Sequence, residues 1–183
     1  MQRNLYHFQI FSLFLAIFCA FLVFSAQAQA QQQAEVQEPP SAFSVTGLHI
    51  PRFVTLASER VFMRAGPGQK YPVLWEYSRR GLPVEIVMEF DVWRKIRDSE
   101  GAEGWVHKSL LSGRRAGIVK YDDLVSVFRR PETTARLMAY AQPEAIISLE
   151  TCTNGWCQVR AQGYSGWMER KFIWGVYEAE EFN

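Results

Sequence analysis

The pattern of apolar and polar positions predicts short β-strands along the chain after about residue 47. From residue 84 to 89 the chain reads Val-Glu-Ile-Val-Met-Glu, and the two-residue period of a strand puts Val84, Ile86 and Met88 on one face and Glu89 on the opposite face. Turn signals such as the Gly-Pro-Gly at 66–68 recur roughly every 8 to 12 residues, with no helical period between them. The pattern therefore predicts an all-β chain that forms an antiparallel barrel or sandwich.

The strand pattern occurs twice. An alternating strand, a strand that begins with Trp and a Gly-Trp strand follow one another between 84 and 113 and again between 145 and 175. Trp93 corresponds to Trp156, and Trp105 corresponds to Trp167. Farther upstream, Val-Phe-Met-Arg at 61–64 is matched with Ser-Val-Phe-Arg at 126–129.

A repeat period above 60 residues is typical of a duplicated small domain and too long for a solenoid repeat. We therefore predict two small β-barrels in tandem, the first at 48–113 and the second, a diverged copy, at 118–177. An acidic tail at 178–183 follows the second barrel.

The first 28 residues have the pattern of an export signal. Arg3 supplies the positive end, residues 10–24 are almost wholly apolar, and Ala-Gln-Ala sequences allow cleavage after Ala28 or Ala30. An uncleaved anchor helix is the alternative, but about 15 apolar residues span only about 22 Å of a hydrocarbon core of about 30 Å. A lipid on Cys19 is disfavoured because the bulky Phe18 precedes it.

Residues 29–47 are rich in Gln, Ala, Glu and Pro, which predicts a disordered linker. After cleavage, the mature chain is expected to be periplasmic or secreted and to have no stable membrane span.

Charge argues against nucleic acid as a partner. The chain has 20 Lys and Arg and 19 Asp and Glu residues, and nucleic-acid-binding modules carry a basic excess. Arginine doublets at 79–80, 114–115 and 129–130 are candidates for binding carboxylates or phosphates of the cell envelope. The alternative is that they are solvated turn residues, partly neutralised by the acidic residues at 178–181.

Two cysteines flank a hairpin turn in the second unit. Asn154-Gly155 is a strong signal for a two-residue type I′ turn. In that register Cys152 faces Cys157 across the hairpin, with their Cα atoms about 4.5 Å apart, near the lower limit for a disulfide. In an oxidising compartment we expect a bridge. Two free thiols or a redox pair are the alternatives, although the spacing lacks the Cys-x-x-Cys redox pattern.

No pattern of an enzyme is found. His49 and His107 have no reactive thiol near them in sequence, and the Gly-Pro-Gly at 66–68 is not followed by a helix as a phosphate loop would be. The predicted barrels also leave no length for a catalytic domain. We therefore expect no catalytic residues, no cofactor and no bound metal.

Several motifs resemble those of the bacterial Src-homology-3-like (SH3-like) domain. In the first unit these are Arg-Ala-Gly-Pro-Gly at 64–68, the strand that begins at Trp93 and Gly-Trp-Val at 104–106. The second unit keeps the Trp156 and Trp167 strands but has Arg-Arg-Pro-Glu at 129–132 in place of the Gly-Pro-Gly loop. The whole chain resembles exported proteobacterial proteins with tandem SH3-like domains. This resemblance implies a fold and a compartment but no particular ligand.

The eukaryotic namesakes of this domain bind extended peptides on an aromatic groove. Strand periodicity puts Trp93 on the face opposite Ile96, and Trp156 occupies the same place in the second unit. Together with Tyr71, which follows the Gly-Pro-Gly loop, these residues are the candidates for a ligand-binding groove. The alternative is that the indoles only cover a core edge, and Trp105, Trp167 and Trp174 are expected in the cores.

The leading hypothesis is an exported, non-enzymatic binding module for peptidoglycan peptides or another cell-envelope component. The alternative is a structural or assembly protein that packs on a dedicated envelope partner and has no affinity for the cell wall.

Overall fold

The computed structural model of the chain describes residues 45–183. The predicted export signal, and the predicted linker up to residue 44, lie outside the described residues. From residue 45 onward, no helix has both the length and the apolar character needed to cross a lipid bilayer.

The first half of the described chain forms a seven-stranded antiparallel sheet that folds around one apolar core as a small, partly open barrel. A short 3-10 helix, Lys108–Leu110, precedes its last strand. The strands lie side by side in the order β3-β2-β6-β5-β4-β1-β7. They are β1 (Arg52–Leu56), β2 (Val61–Arg64), β3 (Val73–Tyr77), β4 (Pro83–Phe90), β5 (Trp93–Arg97), β6 (Glu103–His107) and β7 (Leu111–Ser112).

The second half repeats this topology strand for strand. Its order is β10-β9-β13-β12-β11-β8-β14, and its own 3-10 helix, Arg170–Phe172, again precedes the last strand. The predicted all-β fold with two tandem barrels is therefore confirmed. The strands are β8 (Ala116–Val119), β9 (Val125–Phe128), β10 (Leu137–Ala141), β11 (Ile146–Thr153), β12 (Trp156–Ala161), β13 (Tyr164–Glu169) and β14 (Ile173–Trp174).

Strand pairing shows which residues of the two barrels are equivalent. Arg64 pairs with Trp105 in the first barrel, and Phe128 pairs with Trp167 in the second. The match of 61–64 with 126–129 was therefore wrong by one residue, and β2 corresponds to 125–128. In the predicted match Phe128 would point into the core. In the structure Val127 is buried instead, and Phe128 points outward because neighbouring residues of a strand face opposite sides.

Each barrel has its own apolar core. Ile96 and Val106 lie in the first core, and Val159 and Met168 occupy the equivalent places in the second. The expectation that Trp105, Trp167 and Trp174 fill the cores was wrong, since all three are half-buried and outside both clusters. The reason is strand alternation: Val106 and Met168 point inward, so the Trp immediately before each must point outward.

The glycine that precedes each outward Trp is required by the close approach of the neighbouring strand. A Cβ atom at Gly104 would lie 2.8 Å from the carbonyl oxygen of Arg64, and one at Gly166 would lie 2.6 Å from that of Phe128. Real Cβ atoms do not approach backbone so closely. The repeated Gly-Trp motif therefore allows β2 to lie close to β6, and β9 to lie close to β13.

The two barrels are in contact through aromatic side chains. The ring of Phe53 on β1 lies 5.1 Å from that of Trp174 and 4.7 Å from that of Tyr177, measured between centroids. The Tyr177 hydroxyl donates a 2.7 Å hydrogen bond to Glu85 of the first barrel. Phe53 is buried without belonging to the core of its own barrel, which shows that the second barrel covers it.

Candidate functional site

The turns that precede Trp93 and Trp156 are both two residues long. Thr153 pairs with Trp156, and Asn154 and Gly155 between them have φ values of 48° and 78°, as a type I′ turn requires. The first barrel pairs Phe90 with Trp93 and holds Asp91 at a φ of 48°. Each Trp thus begins a strand directly after a tight turn.

Aromatic rings cluster on the outer face of the first barrel. Trp93 lies edge to face with His107, with centroids 5.6 Å apart, and Phe90 lies edge to face with Trp105 at 6.5 Å. Phe90 is 54% exposed, whereas the other three are half-buried. We call these four residues the first aromatic face.

The second barrel has a similar cluster. Phe128 and Trp156 are 6.0 Å apart between centroids, and Phe128 pairs with Trp167 across the neighbouring strands. These three half-buried residues form the second aromatic face. Phe128 is equivalent to Arg64 of the first barrel, so the aromatic ring comes from a different strand in each barrel.

Tyr71 lies in the loop between β2 and β3. Its ring packs so closely on Gly66 that a Cβ atom there would lie 2.6 Å from it. The Arg64 guanidinium donates hydrogen bonds to the carbonyl oxygens of Tyr71 (2.9 Å) and Gln69 (3.2 Å). Because Arg64 pairs with Trp105, this loop is attached beside the first aromatic face.

The structure therefore places the three candidate residues in two separate groups. Tyr71 and Trp93 belong to the first barrel, while Trp156 belongs to the second. Among residues 45–183 no ring contact joins Tyr71 to Trp93, and Arg64 connects the Tyr71 loop only to Trp105, whose ring contacts Phe90. Their role in binding stays a prediction.

A buried carboxylate lies beneath the turn before Trp93. Glu89 is fully buried and accepts hydrogen bonds from Arg52 (2.5 Å) and from the Thr46 hydroxyl (2.8 Å), with the Arg94 guanidinium 3.2 Å away. Burial alone would raise the pKa of Glu89, but the hydrogen bonds from Arg52 and Thr46 outweigh it and lower the pKa below its usual value. Glu89 is therefore ionised when the chain is folded at neutral pH.

Arg94 connects this charge cluster to the turn. Its guanidinium donates to the carbonyl oxygens of Asp91 (2.9 Å) and Trp93 (2.8 Å). The cluster thus holds the backbone on both sides of the turn and fixes the starting point of the Trp93 strand. Sequence reasoning missed it, because a charged pair inside a barrel looks like ordinary surface charge in the sequence.

The second barrel has a disulfide at the same place. Cys152 and Cys157 are bonded, with Cα atoms 4.1 Å apart, which confirms the predicted bridge. Glu89 pairs with Arg94 in one barrel as Cys152 pairs with Cys157 in the other. The alignment of Trp93 with Trp156 in the sequence repeat already places Arg94 opposite Cys157 and Glu89 opposite Cys152, so the sequence alone could have shown this equivalence.

The predicted acidic tail is part of the fold. Phe182 forms an antiparallel bridge with Cys152 through hydrogen bonds of 2.9 and 3.1 Å. Glu180 accepts two hydrogen bonds from Arg115, at 2.5 and 2.9 Å. Arg115 is equivalent to Arg52 of the first barrel. Each arginine binds a carboxylate, but Arg52 binds Glu89 of its own barrel and Arg115 binds Glu180 near the C-terminus.

Comparison with protein families shows what class of domain the chain contains. The model of the bacterial SH3 domain matches residues 57–113 and again 122–175. The chain therefore belongs to the bacterial SH3 domain family and carries two copies of that domain in tandem. The family comparison identifies no catalytic domain, and within residues 45–183 no cluster of His, Cys, Asp and Glu side chains is arranged to hold a metal ion.

The chain is also similar to solved structures of NlpC2 and NlpC1 from Trichomonas vaginalis. The NlpC2 match has 11% identity and a TM-score of 0.32, and covers 69% of this chain and 49% of that one. The NlpC1 match has 12% identity and a TM-score of 0.32, and covers 74% and 51%. The chain thus spans about half the length of these structures. No curated protein matches it.

Proposed function

We propose that the chain is an exported, non-enzymatic binding module whose aromatic faces bind peptidoglycan peptides or another cell-envelope component. The observation that carries the proposal is the set of aromatic rings on the outside of both barrels. Neither core uses them, and Phe90 leaves more than half of its surface in solvent. Aromatic rings at a surface offer a large contact area with little side-chain entropy to lose.

The surroundings of the first aromatic face suit a ligand with few charges. Lys95 forms a 2.6 Å ion pair with Glu103, and Arg97 pairs with both Glu103 and Glu85. These charges already have partners within the barrel, so a ligand gains most from the rings themselves. A short peptide of small residues fits this description, because it can lie extended across a sheet face.

A sedimentation experiment tests the proposal. The full chain, expressed from its complete coding sequence, is mixed with insoluble peptidoglycan, and bound and free fractions are measured. The double variant Trp93→Ala/Trp156→Ala is expected to lose most of the binding, because it removes one indole from each aromatic face. Trp75→Ala is the matched control, since Trp75 is 59% exposed on β3 and belongs to neither face. Equal retention of all three proteins would refute the role of the faces.

Export is tested separately. We expect the chain in the periplasmic or secreted fraction of the producing cell, with its N-terminus at residue 29 or 31 after signal cleavage. Fractionation followed by N-terminal sequencing checks both points. Recovery of an intact N-terminus in the cytoplasmic fraction would contradict export.

An assembly role is a second candidate, favoured by the exposed edge of the first barrel. The three consecutive apolar residues that begin β3, Val73, Leu74 and Trp75, are exposed on a strand at the end of its sheet. Such an edge is a template for strand addition by another chain. Crosslinking in cells distinguishes the two roles, because an assembly protein yields one partner in constant proportion and a cell-wall binder does not.

A further inference from the structure

The second barrel contains an open cavity. Its volume is about 390 Å³, and it lies between β10, the beginning of β11 and the turn from β12 to β13. Core residues such as Val127, Ile147 and Val159 form its floor, and Tyr140 and Tyr164 stand at its rim. No charged side chain lines it. The cavity therefore suits a neutral, apolar group.

The first barrel fills the same space with a tyrosine. Tyr77 pairs with Val61 at the end of β3, as Ala141 pairs with Val125 at the end of β10. Tyr77 is only 6% exposed, and its hydroxyl donates a 2.8 Å hydrogen bond to Asp98. The residue equivalent to Asp98 is Ala161. Both members of this hydrogen-bonded pair are thus alanine in the second barrel, and both alanines line the cavity.

Three further positions also carry a smaller side chain in the second barrel than in the first. Met63, Leu82 and Ile96 belong to the first core or pack against it. Their equivalents in the second barrel are smaller, and all three line the cavity: Val127, Ala145 and Val159. Protein interiors are close-packed, and small apolar residues at five adjoining positions leave a space that the rest of the barrel does not fill. The strand pairing around it is unchanged.

We propose that this cavity is a binding site for an aromatic side chain of a partner polypeptide. The ring of Tyr77 occupies the equivalent space in the first barrel, which shows that the surrounding scaffold accepts an aromatic group of this size. Ala161 does not provide the acceptor that Asp98 provides for Tyr77 in the first barrel, so a phenylalanine ring, which has no hydroxyl, needs no such partner. Burial of the ring against the apolar floor of the cavity supplies the binding free energy.

The neighbouring strand explains why the ring should come from a peptide. β10 is the end strand of its sheet, and it lines the cavity through Met138, Ala139, Tyr140 and Ala141. Its outward side is apolar, with Tyr140 58% exposed. An extended segment that pairs with β10 would place alternate side chains at the cavity mouth. The site is separate from both aromatic faces and goes beyond the proposed function.

Methyl NMR of the full chain tests the cavity. With alanine methyl groups labelled, addition of toluene, the side-chain analogue of phenylalanine, is expected to shift the signals of the alanines that line the cavity, Ala139, Ala141, Ala145 and Ala161. The variant Ala141→Tyr/Ala161→Asp restores the pair found in the first barrel and should abolish the shifts of the two lining alanines that remain, Ala139 and Ala145. Absence of shifts in the wild-type protein, or equal shifts at Ala139 and Ala145 in the filled variant, would overturn the proposal.

A reciprocal variant provides the control. Tyr77→Ala/Asp98→Ala removes the ring but keeps Met63, Leu82 and Ile96, so it is expected to open a smaller cavity in the first barrel that binds a second molecule of toluene more weakly than the first. If this variant does not fold, the filled variant alone decides the question.

Two capped pentapeptides test the source of the ring. Thr-Val-Phe-Val-Thr should bind about tenfold or more tightly than Thr-Val-Ala-Val-Thr, because only the first buries a phenyl ring. The difference should disappear in the filled variant. Toluene binding combined with equal, weak binding of the two peptides would overturn the assignment to a peptide side chain.

Discussion

Equivalent residues in the two barrels join the strands on either side of the turn before Trp93 and of the turn before Trp156 by different chemistry. Beneath the first turn, Glu89 and Arg94 form a buried ion pair, and beneath the second, Cys152 and Cys157 form a covalent bond. A buried carboxylate is costly unless its hydrogen-bonding capacity is used, and here Arg52 and Thr46 use it. The cysteine pair was predictable from sequence because Asn-Gly set its register. The ion pair was not, because nothing in the sequence marks Glu89 as buried.

Substitution of Glu89 is expected to be strongly destabilising. Glu89→Gln leaves Arg94 and Arg52 without their carboxylate partner, and breaking a buried pair costs about 3 to 5 kcal/mol of unfolding free energy. Urea denaturation measures the change. Glu132→Gln is the control, because Glu132 pairs with Arg130 on the surface, where such pairs contribute about 0 to 1 kcal/mol. Similar losses of unfolding free energy in the two variants would show that Glu89 contributes no more to stability than a surface carboxylate.

Acid should weaken the wild-type chain through the same residue. The pKa of Glu89 is lower in the folded chain than in the unfolded chain, so the stabilisation is complete above the unfolded pKa of about 4.3 and is lost as the pH falls through the folded value. Denaturation midpoints between pH 6 and pH 3 check this. The free-energy difference between wild type and Glu89→Gln should shrink towards low pH, and a constant difference would contradict the prediction.

Reduction of the disulfide should have a smaller effect. The bridge closes a very short loop, so it restricts the unfolded chain little and contributes about 2 kcal/mol or less. Thermal unfolding with and without reductant measures this contribution, and Cys152→Ala/Cys157→Ala provides the matched variant. An unchanged Tm on reduction would mean that the bridge does not stabilise the fold.

At the scale of single strands, the sequence predicted the turns and the long strands better than it predicted which residues face the core. Its alternation placed Met88 on the same face as Ile86, but a bulge between these residues shifts the register of β4 against β5. Beyond the bulge Glu89 turns inward and Met88 does not. An equivalent bulge lies between Leu149 and Thr151. A bulge adds one residue to one strand and leaves no clear trace in the hydrophobic pattern, so the sequence could not reveal the buried charge.

The glycines at these close strand contacts give a prediction at this scale. Gly104→Ala and Gly166→Ala each place a methyl group against backbone carbonyl oxygen, and the resulting overpacking should cost about 1 to 3 kcal/mol. Gly113→Ala is the control, because nothing lies within 4 Å of its added Cβ. Chemical denaturation of the three variants compares their free energies of unfolding. A loss in the control as large as in the other two would contradict the requirement for glycine at these contacts.

At the scale of the whole molecule, the aromatic contact between the barrels is expected to make them unfold as one cooperative unit. The repeat predicted two barrels, but no sequence pattern showed that Phe53, Trp174 and Tyr177 would meet between them. Their apolar character suggested a core, and Trp174 was assigned to one. The candidate site was predicted only in part for a similar reason: periodicity found Trp93 and Trp156 but not the neighbours that surround each of them.

Removal of Phe53 is expected to uncouple the barrels. Phe53→Ala deletes the ring that contacts both Trp174 and Tyr177, so scanning calorimetry should show two transitions in place of one, with the lower Tm decreased. Phe62→Ala is the control, since the Phe62 ring lies under the Arg60 guanidinium of its own barrel, 4.9 Å from the ring centroid. A single transition in the Phe53 variant would show that other contacts, such as the hydrogen bond from Tyr177 to Glu85, are enough to couple the barrels.

The replacement of Tyr77 and Asp98 by two alanines in the later copy bears on how duplicated domains diverge. A single barrel with alanine at both positions lacks the packing of a buried ring and one hydrogen bond, and is expected to be less stable on its own. Within the tandem chain, the first barrel keeps these interactions and contacts the second through Phe53. A tandem pair can therefore carry one loosely packed, accessible barrel because its tightly packed neighbour contributes to the stability of the whole.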